Sequence, residues 1–184
     1  MNSVLGQAFE AQFRTEEKKQ VQFLGVSLER GVFKVDEDLI TGAGLKLDFS
    51  RHFEAPFKIE TSLFTALNAS QQSQISFSGL GVAMYYDLWG RATGAIKNTF
   101  LNDRRISEEI APIQNSLQIG LGVDQFYLNG NKTVYSSSGL SLGLSYTFNL
   151  FNYLFKASTR VSQMTANKEK VNATFFSLGI VFPL

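Results

Sequence analysis

The sequence predicts an eight-stranded antiparallel transmembrane β-barrel, and three observations support this. Long stretches alternate apolar with small or polar residues, which places the two sets on opposite faces of a β-strand. In Gly139–Asn149, GLSLGLSYTFN, the face opposite the leucines carries Gly, Ser, Thr and Asn instead of Lys and Glu. Such a face suits a crowded barrel interior, and the apolar face then suits lipid. Several alternating stretches also exceed the ~9–11 residues with which a tilted strand crosses the hydrocarbon.

Composition excludes several other classes of protein. The chain has 184 residues, which is most simply one domain, and 44% of them are hydrophobic. It contains no run of ~18 apolar residues, so a membrane-spanning helix is excluded. The absence of Cys excludes disulfides, thiolate catalysis and Cys-ligated metals. A net charge of +1 without a long basic run argues against nucleic acid as a partner.

Residues 1–20 are predicted to form an N-terminal periplasmic or interfacial segment. Met1–Phe13 lacks the apolar core of a secretory signal, so an outer-membrane location requires that a signal peptide has been removed. Apolar residues at helical spacing between Val4 and Phe13, followed by RTEEKKQ, favour a short amphipathic helix over Asn2–Gln20. A frayed terminus and an extra strand are the alternatives.

Residues 21–184 are predicted to form the barrel. The eight predicted strands are Val21–Arg30, Leu39–Phe49, Phe57–Leu67, Ile75–Tyr86, Ser116–Tyr127, Gly139–Asn149, Tyr153–Gln163 and Val171–Phe182. The predicted connections are the charged loop Gly31–Asp38, the turn Ser50–Pro56, the polar loop Asn68–Gln74, the hairpin NGNK at Asn129–Lys132, the turn Asn149–Asn152 and the charged loop Ala166–Lys170. The alternation changes phase in the fourth strand, and a β-bulge at Gly79 is the explanation that the sequence suggests.

The block Trp89–Gln114 decides the strand count. Ala92–Leu101 alternates poorly, and counting it as a strand gives nine, whereas single-chain bacterial barrels have even counts. Either residues 89–114 are a non-spanning excursion, which leaves eight strands, or Val4–Phe13 is also a strand, which gives ten. Ending the eight-strand path on the periplasmic side gathers aromatic rings at that boundary, as in an interfacial girdle. These rings belong to Phe49, Phe53, Phe57, Tyr86, Trp89, Tyr146, Phe148, Phe151, Tyr153 and Phe182.

The eight-strand path is therefore favoured, and two alternatives to it stay open. One is the ten-stranded barrel. The other is a soluble β-sandwich or lipocalin-like barrel, which would place Leu140, Leu142 and Leu144 in a core instead of in lipid.

The C-terminal part of the chain resembles the OmpA/OmpX-like and opacity-type outer-membrane barrels. GLSLGLSYTFN, a short turn, FKASTRVSQM, a charged loop and ATFFSLGIVFPL look like the last three strands of such proteins. The resemblance covers about residues 116–184 and, more loosely, residues 39–67. It implies an outer-membrane location, and contact with membrane lipid and lipopolysaccharide is expected there.

The residues that could carry chemistry are few. Eight charged residues are predicted to face inward, four acids and four bases: Glu29, Lys46, Asp48, Lys58, Glu60, Asp124, Lys156 and Arg160. An internal ion-pair network is the favoured interpretation, because buried charges are tolerated when paired. The only histidine, His52, is predicted to be a surface residue of a periplasmic turn. No Ser-His-acid spacing, phosphate-binding loop or paired-His motif is present, so no catalytic, cofactor-binding or metal-ligating residue is predicted.

The function expected is that of a non-enzymatic outer-membrane protein, plugged by its own side chains, with a structural or partner-binding role. The charged stretch NDRRISEE (Asn102–Glu109) is expected to be a solvated loop or short helix; its functional interpretation is a docking surface or a flap over the barrel mouth. A protein partner could bind the loops or the excursion at 89–114. The alternatives are a narrow channel or transporter for small solutes and, with less support, a lipid-modifying enzyme.

Overall fold

The computed structural model describes residues 13–35, 38–53, 56–67, 76–101, 104–111, 114–129, 134–151, 153–166 and 169–184. These residues form eleven β-strands. They are β1 (Phe13–Gln20), β2 (Gln22–Val35), β3 (Asp38–His52), β4 (Phe57–Leu67), β5 (Ser76–Gly90), β6 (Gly94–Leu101), β7 (Arg104–Ala111), β8 (Ser116–Asn129), β9 (Val134–Leu150), β10 (Tyr153–Ala166) and β11 (Glu169–Pro183).

Eight of the strands close into an antiparallel barrel. The order around it is β10-β11-β2-β3-β4-β5-β8-β9, so β11 pairs with β2 and joins the end of the chain to its first barrel strand. The backbone N–H of Leu184 donates to the carbonyl of Gln22 over 3.0 Å, just beyond this seam. Closure removes every strand edge, which is the condition for a sheet to lie in lipid. The eight-strand prediction is thus confirmed, and the ten-strand alternative is wrong.

The two ends of the barrel differ. The C-terminal rim is the end at which Gln22, His52, Phe57, Gly90, Ser116, Leu150, Tyr153 and Leu184 lie. The loop rim is the opposite end, at which Val35, Leu67, Ser76, Asn129, Val134 and Ala166 lie. The predicted loop Asn68–Gln74, most of the predicted turn Asn129–Lys132 and residues 167–168 of the predicted loop Ala166–Lys170 lie outside the described residues.

Several barrel strands extend further toward the loop rim than the sequence indicates. The predicted loop Gly31–Asp38 is wrong for most of its length, because β2 continues to Val35 and pairs with β3 as far as Asp38. Phe33 is completely buried in this extension. The charged residues of this stretch suggested a loop, but Lys34 occupies the outer face of the strand while Phe33 occupies the inner one.

The predicted β-bulge at Gly79 is also wrong. Strand β5 pairs regularly with both neighbours there, and the irregularity lies at Asp87/Trp89 instead. Phe77, Gly79 and Gly81 all face the interior in one unbroken alternation. The apparent phase change arises because the large apolar residue lies inside at Phe77 and outside from Leu80 onward.

The remaining strands form a separate sheet, the rim sheet, in the order β1-β6-β7. Thus residues 13–20 are a strand, not the predicted helix; residues 2–12 of that prediction lie outside the described part. The helical prediction fails because β1 pairs with β6 along its whole length, from Phe13 opposite Leu101 to Gln20 opposite Gly94. Asn102–Glu109 was expected to be a solvated loop or short helix, but its described residues, 104–109, lie in strand β7 (Arg104–Ala111), which pairs with β6.

Candidate functional site

The eight charges predicted to face inward are all buried within the barrel. None of their side chains is more than 7% exposed as a residue, from Asp124 at 1% to Arg160 at 7%. They come from five strands, β2, β3, β4, β8 and β10, because each strand contributes its inward-facing positions at intervals of two. Together they form the interior network (Glu29, Lys46, Asp48, Lys58, Glu60, Asp124, Lys156 and Arg160).

Lys156 is the centre of the part nearer the C-terminal rim. Its ammonium group donates to Asp48 Oδ1 over 2.9 Å and to Glu60 Oε2 over 2.7 Å. Lys58 lies 3.0 Å from Glu60 Oε2, and Lys46 donates to Glu60 Oε1 over 3.4 Å. Three cations thus surround two carboxylates, which compensates for their removal from water.

Arg160 is the centre of the second part, toward the loop rim. Its Nη1 donates to Asp124 Oδ1 over 2.8 Å, and its Nη2 lies 3.8 Å from Glu29 Oε1. Ser162 donates its hydroxyl to the other oxygen of Asp124. This group has one cation and two acids, so the two parts of the network balance one another in charge.

Beyond Arg160 the interior becomes apolar. The phenylalanine cluster consists of Phe33, Phe64, Phe77, Phe126 and Phe175, packed with Met164, Val171 and Ala173. Its rings lie in mutual contact, with centroids of Phe126 and Phe175 5.1 Å apart and nearly parallel. The guanidinium of Arg160 lies 4.7 Å from the Phe175 ring centroid and joins the charged network to the cluster.

The cluster was missed from the sequence, and a signal for it exists. Phe77 lies between Ser76 and Ser78, Phe126 follows Gln125, and Met164 lies between Gln163 and Thr165. At each of these places a buried apolar residue has a polar neighbour, which is the inverse of the arrangement nearer the C-terminal rim. The sequence shows the alternation at these positions, but it does not show that the apolar residues there lie on the inner face instead of the outer one.

The outer face changes in the opposite sense. Between the rims it carries exposed apolar side chains on every barrel strand; examples are Leu28, Leu47, Leu63, Val82, Leu121, Leu142, Val161 and Leu178. Toward the loop rim most exposed outward residues are polar or charged, including Arg30, Lys34, Thr41, Thr65, Ser78, Gln125, Ser138, Gln163, Lys170 and Asn172. Between the two rims the barrel is therefore apolar outside and polar inside. Near the loop rim it is polar outside and apolar inside.

The C-terminal rim carries the predicted aromatic girdle. Exposed rings at this end include those of Phe49, Phe53, Phe57, Tyr86, Trp89, Tyr146, Phe151, Tyr153 and Phe182, and Phe148 is half-buried. Tyr and Trp side chains favour the boundary between hydrocarbon and water, where the ring is in an apolar region and the polar atom reaches water.

His52 is not the surface residue that the sequence suggested. It is the last residue of β3, is 4% exposed, and points into the barrel with its ring 5.4 Å from that of Phe23. The strand continues through the predicted turn Ser50–Pro56 as far as His52, so the alternation that buries Ser50 also buries His52. Its packing against Phe23 is that of a core residue.

The segment after β5 covers the interior at this rim. Ala92 is 4% exposed and shares a recess with His52, Lys58, Thr147 and Leu154. The recess offers a cavity of about 10 Å³, close to the smallest space that holds one water molecule. Arg91 donates to the carbonyl of Phe53 and so joins this segment to the β3–β4 turn.

Strand β6 begins directly after this segment. The rim sheet to which it belongs is a second candidate surface. Its described side chains are mostly exposed and of both signs, with Arg14, Glu16 and Glu17 on β1 and Arg105 and Glu108 on β7. The guanidinium of Arg14 lies 5.2 Å from the Phe100 ring, and Arg105 pairs with Glu108 at 2.5 Å. Strands β1 and β7 are edge strands, and β7 carries an irregularity opposite Thr99/Phe100.

Within the described ranges, no group of three or more His, Asp or Glu side chains is placed to hold a metal ion. The described residues also form no helix that is long and apolar enough to span a membrane.

Comparison with known proteins places the fold. No protein-family model matches the sequence, and no curated protein matches it. Among solved structures, the chain is similar to the crystal structure of Neisserial surface protein A (NspA), with a TM-score of 0.59 and 10% sequence identity, over 91% of this chain and 99% of that chain. It is also matched to Ail, the attachment invasion locus protein of Yersinia pestis, in complex with the heparin analogue sucrose octasulfate, with a TM-score of 0.44 and 17% identity, over 88% of this chain and 97% of that chain.

The chain therefore has the fold of the small eight-stranded outer-membrane barrels of the OmpA/OmpX-like kind. The resemblance inferred from the C-terminal strands is confirmed at the level of the fold.

Proposed function

We propose that this chain is a non-enzymatic protein of the bacterial outer membrane. In this proposal its barrel is closed to solutes, and its role is structural or consists of binding partners through the parts that project from the membrane. The observation that carries the proposal is the change of polarity along the barrel.

An apolar outer face over a charged interior is unfavourable in water, because it exposes leucines and buries ions. In lipid the same arrangement is favourable, since the outer side chains contact acyl chains and the ions pair within. Near the loop rim the outer residues are polar and the phenylalanine cluster is inside, as in a water-soluble protein. We infer that the membrane ends between these two zones, and that the barrel continues beyond it into water.

The interior supports the proposed closure. An eight-stranded barrel is just wide enough for its own side chains. Here the phenylalanine cluster fills the interior near the loop rim, the interior network fills the middle, and Ala92 with Phe23, Leu154 and Val181 fills the C-terminal rim. A solute would have to displace all three layers.

The proposed partners follow from the orientation. With the C-terminal rim on the periplasmic side, the loop rim faces outward and contacts lipopolysaccharide, while the aromatic girdle contacts the inner lipid leaflet. A protein partner would bind the outer loops or, from the periplasm, the residues at 89–114 that include β6 and β7.

The second candidate is a narrow channel for small ions. One observation favours it: charged atoms of the interior, among them Glu29 Oε1 and Asp48 Oδ2, have no hydrogen-bond partner in the described structure. Water molecules could hydrogen-bond to these atoms, and a continuous row of such water molecules could conduct ions. Against the third candidate, a lipid-modifying enzyme, His52 packs on Phe23 at the rim opposite to the loops.

Two measurements test the proposal. A folded outer-membrane barrel should require detergent for extraction and migrate faster on a gel when unheated than when boiled. In planar bilayers the same preparation should show no discrete conductance steps. Stable steps would favour the channel, and a protein that stays monomeric in water without detergent would overturn the membrane location itself.

A further inference from the structure

We propose that the outer face of strands β11, β2 and β3 binds one molecule of a phosphorylated lipid, with its phosphate on Arg30 and an acyl chain in the apolar groove below. The proposal rests on the membrane location proposed above and assigns a specific lipid site to it.

The groove is formed by side chains on three neighbouring strands. Leu28 is paired with Leu178 on β11 and with Leu45 on β3, and these three are between 54% and 71% exposed. One register step toward the loop rim, Arg30 is flanked by Phe176 and Ala43. Ala43 is small, whereas Leu45 and Leu47 occupy the next outward positions of β3 toward the C-terminal rim, and the space beside Ala43 opens the groove.

Arg30 lies at the loop-rim end of this groove. Leu24, Val26 and Leu28 precede it on the same outward face, so its guanidinium lies where that face turns from apolar to polar. Its side chain is exposed, and the structure as described gives it no ion pair. Glu29, the acid nearest in sequence, and Asp48, the acid with a described side chain on the neighbouring strand β3, are buried on the inner face.

This combination is complementary to one class of ligand. A guanidinium binds phosphate oxygens with two parallel hydrogen bonds, and its charge attracts anionic headgroups at a membrane surface. Directly below a lipid phosphate lie acyl chains, and an apolar groove below Arg30 accepts one. A free phosphate ion would use Arg30 alone and leave the groove without a role, so we assign the site to a lipid.

The experiment uses the full chain, folded in a non-ionic detergent, and native mass spectrometry. The probes are dioleoyl phosphatidic acid and dioleoylglycerol, which have the same chains and differ in the phosphate. One phosphatidic acid should stay bound to the wild-type protein at low lipid excess, whereas dioleoylglycerol should not. Equal retention of both lipids would overturn the assignment of the phosphate to Arg30.

Two variants test the two halves of the site. Arg30→Gln should weaken retention of phosphatidic acid by about fivefold, the effect expected of one basic residue at a membrane surface. Ala43→Leu should fill the groove and weaken retention by a similar factor while keeping Arg30. Lys34→Gln, which removes an exposed charge four residues further along β2, and Ser138→Leu, which enlarges a small outward residue on β9 away from the groove, are the matched controls and should bind as the wild type does.

The remaining outcomes are also decisive. If Lys34→Gln and Arg30→Gln weaken binding equally, the attraction is a general surface charge and the site does not exist. If millimolar inorganic phosphate displaces the lipid completely, the groove contributes nothing and the site is one for free phosphate. If the protein shows heat-modifiable mobility in detergent but retains no lipid, the lipid site fails while the proposed membrane location stands.

Discussion

The ammonium of Lys156 donates a 2.7 Å hydrogen bond to Glu60 Oε2 across the barrel interior, from β10 to β4. The same ammonium donates to Asp48 on β3, so one side chain ties together strands that are not neighbours in the sheet. The backbone hydrogen bonds of the sheet join each strand only to its two neighbours around the barrel. Lys156 adds a connection through the centre.

Replacing Lys156 with Met should destabilise the folded barrel by about 3–5 kcal/mol, because it leaves buried carboxylates without their main partner. Urea titration of the protein in lipid vesicles measures this free energy of unfolding. The control is Lys97→Met in the rim sheet, where the side chain is exposed and a change below about 0.5 kcal/mol is expected. A loss for Lys156→Met no larger than that of the control would show that the interior network does not hold the strands together.

Gly79→Ala should destabilise the barrel, because a Cβ atom at this position would overlap the ring of Phe64 and lie 2.8 Å from the carbonyl oxygen of Gln125. Overpacking of this kind costs about 1–3 kcal/mol. Ser78→Ala, one residue away on the outer face, is the control. Combining Gly79→Ala with Phe64→Leu should cost less than the sum of the two single changes. Strict additivity in urea titration would show that the ring does not lie over Gly79.

The proposed edge of the membrane can be located with arginine substitutions on one strand. Leu142 and Ser138 both face outward on β9, one within the apolar zone and the other in the polar zone. Leu142→Arg should cost about 2–4 kcal/mol and Ser138→Arg about 0–1 kcal/mol, as charges do at the midplane and near the interface. Folding yield into vesicles and urea titration measure the difference. Similar costs for both changes would contradict the proposed boundary.

Beyond that boundary the barrel should behave as a water-soluble core does. Phe126 is completely buried in the phenylalanine cluster, while the adjacent Tyr127 is 38% exposed on the outer face. Phe126→Ala should cost about 3–5 kcal/mol, the usual loss for an aromatic residue removed from a packed core. Tyr127→Ala should cost well under half of that. If the two changes are equally destabilising, both faces of β8 are buried there, and the loop rim does not lie in water.

The rim sheet should be dispensable for folding of the barrel. Gly90 and Ser116 are paired residues of β5 and β8, so the two ends of the intervening segment lie side by side. Replacing residues 95–111 by a short Gly-Ser turn should keep the heat-modifiable mobility, because Ala92 and all barrel strands remain. A version of the chain in which only Lys97 and Glu108 are changed to Ser is the control for the loss of charge. Failure of the shortened chain to fold, while the control folds, would assign the rim sheet a role in assembly.

Local alternation was sufficient to predict the eight barrel strands and the inward position of the network. Each residue of a strand faces opposite to its neighbour, so the inward face of Lys156 follows from the apolar residues Phe155 and Ala157 on either side of it. The parity of the strand count and the aromatic residues near the turns were sufficient to exclude residues 92–101 from the barrel. Alternation is a property of a short stretch and the strand number is a count, so both follow from the sequence alone.

The sequence alone did not show which zone of the barrel each stretch occupies. The phase change in the fourth strand suggested a β-bulge at Gly79, because the apolar residue lies on the inner face at Phe77 and on the outer face from Leu80 onward. His52 was taken for a surface residue for a related reason: the strand containing it extends past the residues that looked like a turn.

Pairing between distant parts of the chain decided the features that the sequence does not show. β1 became a strand because β6, some 80 residues later, offers it an edge along its whole length, and no local periodicity carries that information. Likewise Arg30 and Ala43 form the upper part of one groove only because β2 and β3 pair in the register that sets them side by side. The sequence by itself determined the alternation, and therefore the barrel. Tertiary pairing decided where along the barrel axis the outer face changes from apolar to polar, because that depends on how the eight strands are aligned with one another.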